Sequence, residues 1–164
     1  MDTTIFDLAT IILECSKSAL EEDCGYAPDR ACVIVGPIPW DDCCAGQLYV
    51  TVDRVYGSLT FPDEALVPNT CVVPFTAVDF TVQLMQCAVT PSDDGDPPTC
   101  KELAASAKSV YSNARALWKG VQCCLFEQRD TYEHVMRNQI FIGDGACIGS
   151  QLSVTVGIND GCVC

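Results

Sequence analysis

The chain has 164 residues, 49% of them hydrophobic and 19% charged, which is the composition of one globular domain with a core of its own. Nine basic residues stand against 22 acidic ones, for a net charge of −13, and that balance excludes a nucleic-acid grip built on a basic stripe. No apolar run approaches the length of a membrane span, and the opening MDTTIFDLATIILEC has Asp2 where an export signal needs basic residues, so no cleaved signal is expected.

In chain order, the spacing predicts a helix over 2–24, with Asp2 or Thr3 as its cap. Leu8, Ile12, Cys15 and Ala19 form its buried stripe, flanked by Ile5 and Leu20, and Gly25 stands where a helix stops. ACVIV at 31–35 reads as a short strand halted by Gly36-Pro37. Residues 40–46 (WDDCCAG) read as a turn. A second strand covers 47–56, with Leu48, Val50 and Val52 inward and Thr51 and Asp53 outward, so the two strands are expected to form a hairpin. Residues 57–70 are a long connection carrying Phe61-Pro62 and Asp63-Glu64. Loops of this length in a compact domain are often functional.

The third strand spans 71–89, with Pro74 marking an edge or a bulge. Within it Val78, Phe80, Val82 and Leu84 alternate with Asp79, Thr81 and Gln83, the pattern of a half-buried strand. An acidic, proline-rich turn (Pro91 to Pro98) leads to Thr99, which with Glu102 makes a capping box. The helix that follows carries Leu103, Ala107, Val110, Ala114, Leu117 and Val121 on one face, widened by Ala104, Tyr111, Trp118 and Leu125. Gly120 costs about 1 kcal/mol against alanine there, so fraying is expected beyond it. Residues 130–142 alternate less cleanly and read as a strand. Gly143-Asp144-Gly145 is a turn, and 151–158 closes the fold with Leu152, Val154, Val156 and Ile158 on one side. This order of elements predicts a single α+β domain over 1–164: two layers, a mainly antiparallel or mixed sheet with both long helices on one face, and an extended loop at about 57–70.

Little of this is catalytic. The one histidine, His134, lies in mid-strand with no orienting acid, and with 13 cysteines a Cys–His pair can always be drawn. Cys43-Cys44 and Cys123-Cys124 are adjacent pairs and Cys162-Val163-Cys164 a C-x-C, none with the spacing of a zinc knuckle. Neither a catalytic residue nor a metal or cofactor is expected. Cysteine makes up about 8% of the chain, near the range of disulfide scaffolds. Cross-links are expected among Cys43, Cys44, Cys123, Cys124, Cys147, Cys162 and Cys164, with Cys87 at the end of the central strand. The pairing stays open, as does the alternative of buried reduced thiols. The odd count leaves at least one thiol free or paired with another chain. GDGACIG at 143–149 lacks the Lys-Ser/Thr of a phosphate loop and reads as a hairpin turn.

The segments WDDCCAGQLYVTV, Phe61-Pro62, FTAVDFTVQLMQC, SVYSNARALWKGVQCC and GDGACIGSQLSVTV with the closing CVC, together with the order of elements, resemble the tail terminator proteins of long-tailed bacteriophages, most of all the cysteine-rich versions of actinobacteriophages. The resemblance covers nearly the whole chain and is one of pattern. It implies a homohexameric ring on the head-proximal end of the tail tube that stops tube polymerisation, meets the head-side connector or stopper protein, and lets viral DNA through its centre. It implies a virion protein at the head–tail junction, assembled in the host cytoplasm, with no enzymatic activity and no membrane. Strong acidity suits a channel that DNA must slide through, and cysteines suit a particle that leaves the cell. On this reading Asp53, Asp79, Asp93, Asp94 and Asp96 are candidate channel or surface acids, and Phe61, Asp63 and Glu64 mark the loop that contacts the tube or a neighbouring subunit. The alternatives are another neck or tail protein (a stopper or tube subunit), a secreted disulfide-stabilised binding module, or a thiol enzyme built on His134.

Overall fold

The computed structural model describes residues 5–37, 41–66 and 75–159. Helix α1 (Ile5–Cys24) buries Leu8, Ala9, Ile12, Leu13, Ser16, Ala19 and Leu20. Its stripe is thus wider than the spacing of Leu8, Ile12, Cys15 and Ala19 implies. Ser16 is admitted to the core because its hydroxyl donates to the Ile12 carbonyl at 2.7 Å. The helix ends where Gly25 turns left-handed (φ 77°) and its N–H donates to the Glu21 carbonyl. The expected caps Asp2 and Thr3 lie outside the described residues.

Strands β1 (Arg30–Ile34), β2 (Gln47–Ser58), β3 (Phe75–Cys87), β4 (Tyr132–Asp144) and β5 (Cys147–Ile158) form one sheet in the order β1-β2-β3-β5-β4. The first pair corrects the sequence reading. β1 runs parallel to β2, with Ala31 opposite Leu48 and Val33 opposite Val50, so there is no hairpin between them. The connection of a dozen residues is long enough to bring the chain back to the same end before β2 begins, which a hairpin turn does not need. The hairpin with the long extension is instead β2–β3, antiparallel with Leu48 opposite Leu84 and Val50 opposite Val82. β3 pairs antiparallel with β5, which pairs with β4 in a closing hairpin turned at Gly145 (φ 57°).

One face of the sheet carries Leu48, Val50, Val78, Phe80, Val82, Leu84, Leu152, Val154 and Val156, which pack with Leu8, Ile12 and Leu20 of α1 and with Leu117, Val121 and Leu125 of helix α2 (Cys100–Glu127). Both helices lie on this face, so the fold is a two-layer α+β sandwich, as the order of elements predicts. Helix α2 starts with the expected capping box: Thr99 accepts from the Glu102 N–H while the Glu102 carboxylate accepts from the Thr99 N–H. It does not fray at Gly120. A Cβ on Gly120 would stand 2.2 Å from the Ala19 Cβ, so glycine sits where the two helices cross most closely and the helix runs on to Glu127. Cys15 meets Cys124, Ala19 meets Gly120 and Asp23 meets Lys119, so the helices are antiparallel.

The opposite face of the sheet is not simply solvated. Thr81 and Gln83, read as outward, are 5% and 4% exposed. The Thr81 hydroxyl donates to Asp53, and the 3-10 turn Cys43–Ala45 lies over the far end of β3. Cys87 and Cys147 stand directly across from each other on β3 and β5, and the adjacent Cys44 and Cys43 bond to them, one each. The double staple holds the turn over a second, small cluster of Cys43, Tyr49, Met85 and Cys147.

Candidate assembly surfaces

The expected contact loop is a compact structure over the part that is described. Thr60 and Asp63 form a bridge around a cis Phe61–Pro62 peptide, and the Ala65 N–H donates to the Gly57 carbonyl. The Phe61 ring lies over Gly157, where a Cβ would come within 2.7 Å of it, and beside Phe75 with centroids 6.1 Å apart. The Pro62 carbonyl accepts from the Tyr56 hydroxyl at 3.0 Å, and Glu64 pairs with Arg54 at 2.8 Å. Phe61 and Glu64 therefore fasten the segment back to the sheet, while Asp63 stays exposed. Residues 67–70 of the expected loop, and Pro74, lie outside the described residues.

The candidate acids fall into two separate groups. Asp53 accepts from the Thr81 hydroxyl at 2.6 Å and from Thr51 at 3.3 Å. Asp79 pairs with the Arg54 guanidinium at 2.6 Å and accepts from the Thr155 hydroxyl at 2.5 Å. The Arg137 Nε in turn donates to Thr155 at 2.7 Å, and its terminal nitrogen to the Tyr56 hydroxyl at 3.4 Å. The result is a chain Glu64–Arg54–Asp79–Thr155–Arg137–Tyr56 across four strands, β2, β3, β5 and β4. Asp79 raises the Arg54 pKa further, through its hydrogen bond first and its charge second. A hollow of about 130 Å³ sits in this network, lined by Asp53, Asp79, Arg137 and Thr155 with no histidine or cysteine. Asp93, Asp94 and Asp96 lie elsewhere, exposed on the turn after β3, where the Ser92 N–H donates to the Asp96 carbonyl. Eight residues of extended strand, about 26 Å, separate Asp79 from the end of β3, so the two groups are not one patch within a subunit.

Arg54 and Arg137, which tie this network together, were not singled out by the sequence. Each sits at a bulge, between Val52 and Arg54 in β2 and between Met136 and Asn138 in β4. A bulge inserts one residue and re-aims the side chain beside it. The imperfect alternation over 130–142 was the visible trace of the second bulge.

Of the cysteines expected to cross-link, Cys43, Cys44, Cys124 and Cys147 do so, with partners Cys147, Cys87 and Cys15. Cys123 does not: it is exposed with a free thiol, as are Cys32 and Cys100, while Cys24 is a half-buried thiol. The reason is helical geometry. Adjacent residues on a helix point about 100° apart, and only Cys124 faces α1. Cys162 and Cys164 lie outside the described residues. His134, opposite Val156, is half-buried, and that burial lowers its pKa. β4 and β1 are opposite edges of the sheet, so Cys32 is four strand spacings, about 19 Å, from the histidine strand. Among the described residues no three His, Cys, Asp or Glu side chains gather as metal ligands would. None of their helices is long and apolar enough to cross a membrane. No protein-family model and no curated protein matches the chain.

Proposed function

We propose that this chain is a structural subunit of a phage tail: a ring, hexameric when closed, that caps the head-proximal end of the tail tube, stops its polymerisation and joins it to the head-side connector or stopper protein while leaving a channel for DNA. The observation that supports it most is the order of elements within the two-layer fold: a leading helix, the β2–β3 hairpin with its extension, a long helix laid on the sheet, and the β4–β5 closing hairpin. The resemblance to tail terminators rests on a leading helix, a hairpin with a long extension, a central strand, a long helix and a closing hairpin; here the extension lies between β2 and β3, and β1, expected as the first strand of the hairpin, runs parallel to β2. The net charge of −13 is compatible with a channel that repels the phosphate backbone. Three disulfides among the described residues suit a protein that works outside the cell in a finished virion. The chemistry is one of assembly: no catalytic residue or cofactor is assigned.

Electron microscopy of the purified protein tests this directly. Rings with a central hole and about sixfold symmetry are expected. Open tubes would point to a tube subunit. A monodisperse monomer at high concentration would count against the ring and for a disulfide-stabilised binding module, the reading the three cross-links would otherwise serve.

A further inference from the structure

The positive charges of this acidic protein are unevenly used. Lys17 pairs with Glu14, Arg30 with Asp41, Arg54 with Asp79 and Glu64, and Lys119 with Asp23. Arg137 is held by Thr155 and Tyr56, and Arg129 by the Phe126 carbonyl and ring. The remaining three, Lys101, Lys108 and Arg115, are exposed and have no partner among the described residues. They recur every seven residues along α2, a spacing that drifts only about 20° per repeat, so they form one line on the helix.

That line borders apolar surface. Ala104, Ala107 and Tyr111 floor a shallow hollow of about 490 Å³ rimmed by Lys108 and Arg115. Beside it a groove of about 430 Å³ runs between α2 and the tip of the β4–β5 hairpin, and Leu103, Tyr111 and Phe141 line it while being 49%, 58% and 55% exposed. Tyr111 and Phe141 meet edge to face at 4.9 Å, so the patch is already ordered. It exists because α2 outruns its partner. α1 runs antiparallel to it and ends at Cys24, near Lys119, so the first turns of α2 have no helix beside them.

The other end of α2 has the complementary character. There Glu14, Glu22, Asp23 and Glu127 surround a groove of about 360 Å³ between α1 and α2, with Lys119 as the only cation in its lining among the described residues. Glu22 and Glu127 have no partner among the described residues. Lys108 and Glu127 are 19 residues apart, about 28 Å along the helix, so one molecule cannot join its own two patches.

We infer that the Lys101–Lys108–Arg115 stripe with its Leu103–Tyr111–Phe141 groove is a docking surface for a second copy of this chain, which presents its Glu22–Glu127 groove. The contact is head-to-tail, with different patches on the two subunits, the arrangement that propagates into a closed ring or a filament. Lys101 adds to the case. A cation in the first turn of a helix opposes the helix dipole, and a neighbour's carboxylates offset that. Exposed ion pairs alone contribute little, so the apolar groove supplies the affinity and the charges fix register and direction. The inference deepens the ring reading and rests on it only for closure at six.

The test uses two charge-reversed forms of the full chain, each checked for native circular dichroism. Lys101→Glu/Lys108→Glu/Arg115→Glu removes the stripe, and Glu22→Lys/Glu127→Lys removes the acidic groove. By sedimentation, wild-type self-association is expected to weaken about tenfold or more as salt screens the contact between 0.05 and 0.5 M. Each variant alone is expected to be monomeric, because stripe and groove then carry the same sign, and the two mixed are expected to associate again, since one pairing is intact and the other is complementary with its signs exchanged. Wild-type protein that stays monomeric to about 1 mM at low salt, or variants that associate as wild type does, would overturn the contact. Rings that persist with the stripe reversed refute this surface and leave the ring reading standing. Re-association of the mixed variants together with open wild-type assemblies in place of rings keeps the surface and refutes the ring.

Discussion

Gly120 shows how much one residue's environment changes its meaning. Taken alone it is a weak point of a helix, worth about 1 kcal/mol of lost propensity. Against Ala19 it is the residue that lets α1 and α2 close. Gly120→Ala is therefore expected to lower stability by about 1–3 kcal/mol, the range for overpacking, although alanine is the better helix former. Urea unfolding measures this, and the paired change Ala19→Gly should recover most of the loss. A second prediction concerns His134, whose pKa is lowered by burial. Below about pH 6.5 the unfolded chain binds a proton that the folded chain resists. Stability should fall as pH drops through that value and level off, for this group, below the folded pKa. His134→Gln should flatten that part of the profile between pH 8 and 5.5. Identical slopes for the two proteins would show that the imidazole's burial is without thermodynamic weight.

The cysteines gain their sense from elements brought together. Cys43 and Cys44 leave one short turn to grip two strands, because Cys147 and Cys87 are cross-strand neighbours. Removing Cys43–Cys147 by a double serine substitution should cost about 2–5 kcal/mol, typical of a native disulfide in a small domain, read as a lower thermal midpoint. Alkylation without reductant, mapped by mass spectrometry, should mark Cys32, Cys100 and Cys123 readily. Cys24 should react last, since burial and then the Asp23 charge raise its pKa. Cys15, Cys43, Cys44, Cys87, Cys124 and Cys147 should need reductant first. Rapid labelling of Cys124 in the unreduced protein would contradict its bond to Cys15. At this scale the sequence was legible wherever one periodicity ran without interruption. Val78, Phe80, Val82 and Leu84 are inward and the Thr99–Glu102 cap is formed, as their patterns predict, whereas α2 runs past Gly120 to Glu127 and leaves Leu103, Ala104 and Tyr111 of its expected stripe exposed. It was not legible where pairing partners had to be chosen: β1 could join β2 in either direction, and only the path of the connecting chain decides.

On the scale of the whole molecule the feature that matters is polarity of charge. A net −13 conceals a helical layer whose two ends differ in sign, basic and apolar along the first turns of α2, acidic at the groove between α1 and α2. Composition reports only the sum, which is why acidity reads as a uniform property of the chain. The assembly expected of this molecule is consequently salt-sensitive and directional. A ring made this way should come apart at high ionic strength without unfolding, which sedimentation and circular dichroism on the same samples would separate. A ring indifferent to salt would count against the charge match between neighbouring subunits.

The sequence by itself determined the two-layer α+β class, the two helices, the Thr99–Glu102 cap, and the inward residues of β2, β3 and β5, because these follow from local spacing and from the burial of apolar side chains. Tertiary structure alone decided the parallel placement of β1, the three disulfide partners, the fastening of Phe61 and Glu64 to the sheet, and the separation of Asp79 from Asp93–Asp96. Each of these depends on which distant residues share a place. Such neighbours are fixed by the packing of whole elements and leave no period in the chain.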